Sequence, residues 1–323
     1  MVVLQKAIGV LTSGGDAPGM NAAVRAVTRT ALSMGYKVIG IKRGYKGLLK
    51  DEYSELTARD VSNIIQRGGT VLYTGRCEEF HNEDVQEEAA MKCRYLGIEG
   101  LVVIGGDGSF RGAAALSAKG IPCIGIPGTI DNDIACTDYT IGYDTALNTA
   151  VDMIDKLRDT AESHNKCSVV EVMGRGAGWL ALNVGIAVGA VGICVPEIET
   201  DVEALAMKIK RVQASRKQHF IVVFAEGCGN SKELSDKLTE LTGIETRDTV
   251  LGHVQRGGSP TLRDRVVASE MGYYAVELLD KGISDRIVGL KNDKVYDISI
   301  SEGLAMTKPF DKKLYAIADE ISF

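Results

Sequence analysis

Residues 101–120 read LVVIGGDGSFRGAAALSAKG: an apolar run rich in β-branched residues, a turn of glycines and small polar residues, then a stretch of helical period. A short apolar run of this kind, bounded by glycine, predicts a strand buried on both faces, as in a parallel sheet. The same phrase returns at residues 7–11 before SGGDAPGMNAAVRAVTRTAL, at 168–173 before GRGAGWLALNVGIAV, and at 220–224 before AEGCGNSKELSDKLTEL. Strands alternating with helices imply βαβ units, so the expected fold class is α/β, with two doubly wound, mainly parallel, Rossmann-like sheets. Ligands of such sheets bind beyond the carboxyl ends of the strands, and each of these glycine-polar turns falls at such an end.

The composition agrees. A chain of 323 residues suggests about two domains, and 45% hydrophobic with 25% charged residues excludes a disordered, collagen-like or small disulfide-stapled chain. Glycine is plentiful, at 37 residues, while proline is scarce, at 6, which points to special backbone turns and not to loose linkers. A net charge of −6 supplies no field toward nucleic acid or an anionic membrane, so neither partner is expected and local arginines must hold any anionic substrate. The 7 cysteines show no CxxC and no zinc spacing, which suits thiols in a reducing compartment. The opening MVVLQKAIGVLTSGGD is apolar too briefly for a secretory signal. Residues 176–195 lack charge over a length that would span a bilayer, but their glycines, Asn183 and the following Pro196-Glu197 fit a buried helix turning into a buried strand. A cytoplasmic protein is expected.

Four motifs carry chemistry. In Gly105-Gly106-Asp107-Gly108-Ser109 the glycines let backbone N–H groups approach phosphate at a helix start. An aspartate among phosphates makes sense as a ligand of Mg²⁺, which favours carboxylate and phosphate oxygens together; the plain alternative is a βα turn with an aspartate N-cap. GxxxxGK[ST] is absent, and the glycines at 106, 108 and 112 miss the dinucleotide spacing. LTSGGDAPGMN, at 11–21, forms a second such turn, so a polyphosphate across two strand ends is expected. Thr129-Ile130-Asp131-Asn132-Asp133 would, in extended chain, put a hydroxyl and two carboxylates on one face. A carboxylate there suits a base that accepts a hydroxyl proton during phosphoryl transfer; an Asx-rich surface turn is the alternative. The dispersed cations Arg76, Arg175, Arg247, His253 and Arg256 suit phosphate oxygens, and Glu226 either binds a sugar hydroxyl or caps a helix.

Taken in order, LTSGGDAPGMNAAVR, NIIQRGGTVLYTGR, VVIGGDGS, GIPGTIDNDI, VVEVMGRGAG and TVLGHVQRGGSP resemble the bacterial ATP-dependent 6-phosphofructokinases essentially end to end. The resemblance implies transfer of the γ-phosphoryl of MgATP to the 1-hydroxyl of fructose 6-phosphate by a homotetramer whose sites are shared between subunits. It implies an ATP-binding domain at 1–138 plus about 253–304, and a fructose 6-phosphate domain at 139–252 plus about 305–323. It makes Asp131 the general base and Asp107 the magnesium ligand, with Thr129 and Arg175 on the transfer path. Gly15, Arg76 and the turn Gly106, Asp107, Gly108, Ser109 would contact ATP, with Tyr45 and Cys77 beside them. Thr129, Ile130, Asp131, Met173, Gly174, Arg175, Glu226, His253, Val254, Gln255 and Arg256 would line the sugar phosphate site. Lys166 and Arg247 would reach it from a neighbouring subunit.

The departures are informative. Lys166 stands where arginine is usual and keeps the charge without the fork. Cys77 replaces a common aromatic, and Trp179 a usual aspartate. For the effectors ADP or phosphoenolpyruvate, Arg25, Arg29, Arg158 and Lys217 match basic positions. Val191 falls where a magnesium-binding glutamate belongs, and Ala58 where an arginine is expected, so ADP activation should be weakened. A pyrophosphate-dependent enzyme would typically carry aspartate at Gly108 and lysine at Gly128, so both glycines favour ATP. A non-catalytic regulatory paralogue need not keep Asp107, Thr129, Asp131 and Arg175 together.

Overall fold

The structure is a computed structural model that describes residues 6–215 and 219–322. The opening segment 1–5 and Lys217 therefore lie outside the described residues. Eleven strands occur among those described: β1 (Ala7–Thr12), β2 (Lys37–Ile41), β3 (Tyr53–Glu55), β4 (Ile98–Gly105), β5 (Cys123–Pro127), β6 (Cys167–Val172), β7 (Gly192–Cys194), β8 (Phe220–Ala225), β9 (Thr246–Val250), β10 (Arg286–Lys291) and β11 (Lys294–Ser299). They form two sheets. One has seven strands in the order β11-β10-β5-β4-β1-β2-β3, and the other four in the order β7-β8-β6-β9.

Every pair in the four-stranded sheet is parallel. The larger sheet is parallel through its centre, with antiparallel pairs only at its two edges, β2 with β3 and β10 with β11. The α/β class with two parallel-dominated sheets is thus as expected. The reason is visible in β1, β5 and β8, which are buried along their whole length. Such strands need helices on both faces, and the glycine-polar turns supply the exits into them.

The chain divides into two compact units. Among the described residues the first comprises 6–130, 134–145 and 256–308; the second comprises 131–133, 146–215, 219–255 and 309–322. In the first unit, helix Met20–Ser33 follows β1, and helix Asp107–Ala118 follows β4. Its core gathers Leu11, Ile41, Leu101, Val103, Phe110 and Leu116, all fully buried. In the second, Val169, Val222, Phe220, Ile209 and Leu238 form the core. The uncharged stretch resolves as expected into helix Trp179–Ala187 and strand β7. Among the described residues no helix is long and apolar enough to cross a membrane.

Candidate functional site

In the first unit, β1 and β4 are neighbours, and their carboxyl-end turns lie side by side: Ser13 donates its N–H to the Ile104 carbonyl at 2.9 Å. A Cβ on Gly105 would collide with the Ser109 hydroxyl and the Ser13 carbonyl, so only glycine lets the two turns close up. Gly106 caps helix Asp107–Ala118 with extended backbone and no side-chain hydrogen bond, and its carbonyl accepts the Ser109 N–H at 2.9 Å. Asp107 is the first helical residue and half-buried. Gly106 and Gly108 face open space, with no atom within 4 Å of a built Cβ.

The segment 70–76 completes this end of the sheet. The Thr12 hydroxyl donates to the Tyr73 carbonyl at 2.7 Å and bonds the Thr70 hydroxyl at 2.9 Å, while the Thr74 hydroxyl donates to the Gly14 carbonyl at 2.8 Å. Arg76 is therefore tethered beside the Gly14–Gly15 turn. Arg256 comes to the same place, its guanidinium donating to the Asp16 carbonyl at 3.2 Å, and a Cβ on Gly15 would run into that guanidinium. Thr12, Thr70 and Thr74 escaped the sequence reading, because isolated threonines carry no spacing signal. Tyr45 is buried under the turn, donating its hydroxyl to the Ser109 carbonyl at 2.6 Å and stacking on Phe80 at 4.2 Å. Cys77 is half-buried, and burial pushes its thiol above the ordinary value, so a thiolate does not confront an anion here.

The Thr129–Asp133 segment departs from expectation. It is not extended: the chain bends at Ile130 and Asp131, and Asn132 takes a left-handed conformation with φ 50°. Alternation of side chains therefore does not apply, and the one-face reading of Thr129, Asp131 and Asp133 is withdrawn. Asp131 is 7% exposed and Asn132 5%, so this is no surface turn. Ile130 is wholly buried. A left-handed asparagine beside a buried carboxylate is the kind of local strain that folds keep at working sites.

In the second unit, β6 and β8 are parallel neighbours, with Val172 opposite Ala225, so the turns that follow them adjoin. Glu226 turns its carboxylate into the first of these turns: Oε1 accepts the N–H of Gly174 at 3.1 Å and that of Arg175 at 2.6 Å. Gly174, at φ 137°, and Arg175, at φ 57°, hold a backbone path that few side chains adopt, and the glutamate pins it. Arg175 is exposed. The buried Gln255 accepts the Met173 N–H at 3.3 Å, so Gln255 organises Met173; His253 and Val254 are exposed in the same short helix.

The two cations expected to reach a neighbouring subunit's sugar phosphate lie at the other end of their strands from this chain's own turn. Lys166 and Arg247 sit at the amino ends of β6 and β9, away from the turn of Met173–Arg175, and both bind Glu245, at 2.8 and 2.7 Å. The side chain of Arg247 remains 68% exposed. The expected effector positions are divided between the two units. Arg25 and Arg29 lie on helix Met20–Ser33 in the first unit, where burial and then the Arg29 charge lower the Arg25 pKa. Arg158 lies in the second unit, donating to the Val188 carbonyl and facing the His219 ring at 3.5 Å. Val191 is wholly buried in the second core.

The phosphofructokinase family profile matches residues 7–279. A Clostridium botulinum protein named ATP-dependent 6-phosphofructokinase is 56% identical over 317 residues, covering 98% of this chain and 99% of its own. A Clostridium tetani protein of the same name is 54% identical over 316 residues, covering 98% of this chain and 99% of its own. The phosphofructokinase structure from Saccharomyces cerevisiae superimposes with a TM-score of 0.87 at 34% identity, covering 98% of this chain but 47% of the yeast chain. This chain thus spans about half the length of that yeast chain. The chain belongs to the phosphofructokinase family.

Proposed function

We propose that the chain transfers the γ-phosphoryl group of ATP to the 1-hydroxyl of fructose 6-phosphate, giving fructose 1,6-bisphosphate and ADP, a glycolytic reaction of the cytoplasm. The observation that carries this is the identity of 56% across 98% of the chain to a protein named ATP-dependent 6-phosphofructokinase. A loose phosphoryl transition state needs in-line positioning, charge around the equatorial oxygens and a base for the attacking hydroxyl. The Asp131 carboxylate accepts the proton of the sugar 1-hydroxyl as its oxygen bonds to the γ-phosphorus. The bond from that phosphorus to the bridging oxygen breaks, and ADP departs. Arg175 offers its guanidinium to the moving phosphoryl group, with the Thr129 hydroxyl beside it. Gly15, Arg76 and the turn at 106–109 receive the nucleotide, with Tyr45 and Cys77 behind. Met173, Gly174, Glu226, His253, Val254, Gln255 and Arg256 serve the sugar phosphate.

The donor set fits magnesium. Among the described residues no cluster of three or more His, Cys, Asp or Glu could cage a metal, and Asp107 is a single half-buried carboxylate at a phosphate-type turn. Mg²⁺ prefers that arrangement, one or two carboxylates plus substrate phosphates. Asp107 would hold it, and the ion would supply charge that offsets the phosphates.

Lys166 and Arg247, at the strand ends opposite the Met173–Arg175 turn, suit service to a neighbouring subunit's sugar phosphate, and hence a homotetramer. Val191 inside a core cannot ligate a cation, so activation by ADP is weakened here; an ADP titration at sub-saturating fructose 6-phosphate checks this, with full activation as the contrary outcome. Initial rates with fructose 6-phosphate and Mg²⁺, comparing ATP with pyrophosphate, test the whole reading. Turnover with ATP is expected; turnover with pyrophosphate alone would overturn it.

A further inference from the structure

We propose that Asp264 is a positioning residue for the phosphoryl transfer, setting the backbone path of Thr129 through the segment 139–145. The inference rests on the reaction proposed above. Asp264 is fully buried, the third residue of helix Leu262–Asp280, and its N–H bonds the hydroxyl of the capping residue Thr261 at 3.3 Å. An acidic residue in this place ordinarily turns back to the N–H of the capping residue. Here the Thr145 hydroxyl oxygen accepts the Thr261 N–H instead, at 3.0 Å, and the carboxylate is committed to another segment.

That commitment is complete. Oδ1 accepts the Gly142 N–H at 2.7 Å and the Tyr139 hydroxyl; Oδ2 accepts the Thr145 N–H at 2.9 Å and the Thr145 hydroxyl. Four donors on two oxygens describe an ionised carboxylate. Burial pushes its pKa up, and the hydrogen bonds oppose that. The Arg263 guanidinium covers the Tyr139 ring at 4.9 Å. A buried charge is costly, and an apolar contact could have anchored a mere loop.

The clamped segment in turn holds the start of the catalytic loop. Ile141 bridges to Gly128 and donates its N–H to the Pro127 carbonyl at 2.9 Å. The N–H of Thr129 donates to the Ile141 carbonyl at 3.1 Å, and the Thr140 hydroxyl donates to the Thr129 carbonyl at 2.7 Å. Both backbone polar groups of Thr129 are thus held by residues 140 and 141, which lie between the clamped Tyr139 and Gly142. Gly19 closes on the same point, since a Cβ there would collide with Ile141 and crowd Asp264.

Two variants of the full chain test this. Asp264→Asn replaces an acceptor oxygen with a donor that faces other donors; Tyr139→Phe removes one hydrogen bond and keeps the ring under Arg263. We expect kcat to fall about 10- to 100-fold in Asp264→Asn, as for small misplacements of reacting groups. A roughly 2- to 10-fold fall is expected in Tyr139→Phe, with the KM for ATP held within about twofold in both. The amides of Thr129 and Ile141 should exchange hydrogen faster in Asp264→Asn, while those of β4 do not change. A variant that lowers Tm alone, with kcat and the two amides unmoved, overturns the proposal. If Asp264→Asn yields no folded protein, Tyr139→Phe decides by the same readouts. If the unsubstituted chain lacks activity the reaction is wrong, and amide exchange still judges the clamp.

Discussion

Glu226 holds the backbone of Arg175: its Oε1 accepts the Arg175 N–H at 2.6 Å and the neighbouring Gly174 N–H at 3.1 Å. Glu226, expected either to bind sugar or to cap a helix, pins the backbone path of Arg175, the arginine proposed to face the moving phosphoryl group. Removing it leaves two N–H groups without their charged acceptor, a loss of about 1–3 kcal/mol. Glu226→Ala should lower kcat/KM for fructose 6-phosphate roughly 10- to 100-fold, and Glu226→Gln, which keeps an acceptor, should lose less. Steady-state kinetics with ATP held saturating decides; equal losses in the two variants would assign the role to charge on the substrate alone.

Asp131 lies 7% exposed within a bent segment. A positioned base is worth roughly 10²–10⁴ in rate, so Asp131→Ser should lose at least that in kcat while the KM for ATP stays put. Near-normal turnover by the serine variant would remove Asp131 from the mechanism.

Gly108 faces open space in the first turn of a helix, where an acidic side chain is favoured by the dipole. Gly108→Asp should therefore keep or slightly raise Tm, yet raise the KM for ATP about tenfold or more by setting a negative charge beside the nucleotide. Thermal melting and ATP saturation curves separate the two effects. Gly128 differs: a Cβ there would press on Ile104 and Met20 at 3.1 Å, so Gly128→Lys should cost stability as well as rate.

Glu245 binds the two cations proposed for the sugar phosphate. Hydrogen bonds from Lys166 and then Arg247 hold its carboxyl below the ordinary value. The sign follows: the pairing is present above the ordinary glutamate pKa and is lost as pH falls through the lowered one. Glu245→Gln removes the competitor at all pH, and because the pair is exposed its worth is small. A fall of about two- to fivefold in the KM for fructose 6-phosphate is expected, with kcat unchanged. An unchanged KM would mean that neither cation meets the substrate.

Much of the fold was legible because burial on both faces leaves a plain mark. The runs at 7–11, 101–104, 168–173 and 220–224 lie on β1, β4, β6 and β8, each followed by its helix. The glycine turns were legible because close backbone approach excludes a Cβ, as at Gly105 and Gly15. What could not be read locally was the bend at Ile130–Asp131 and the left-handed path of Asn132, which no spacing in the segment signals.

Thus local chemistry in the sequence determined the α/β class, the position of the glycine turns at strand ends and the residue types proposed for the phosphoryl transfer. Tertiary structure alone decided that Glu226 pins Arg175, that Thr12 draws the segment 70–76 against the Gly14 turn, and that Lys166 reaches Glu245. The physical reason is range. Period and backbone permissiveness act within a few residues, whereas a hydrogen bond joins partners 51 to 79 positions apart only after the sheets have brought their strands together.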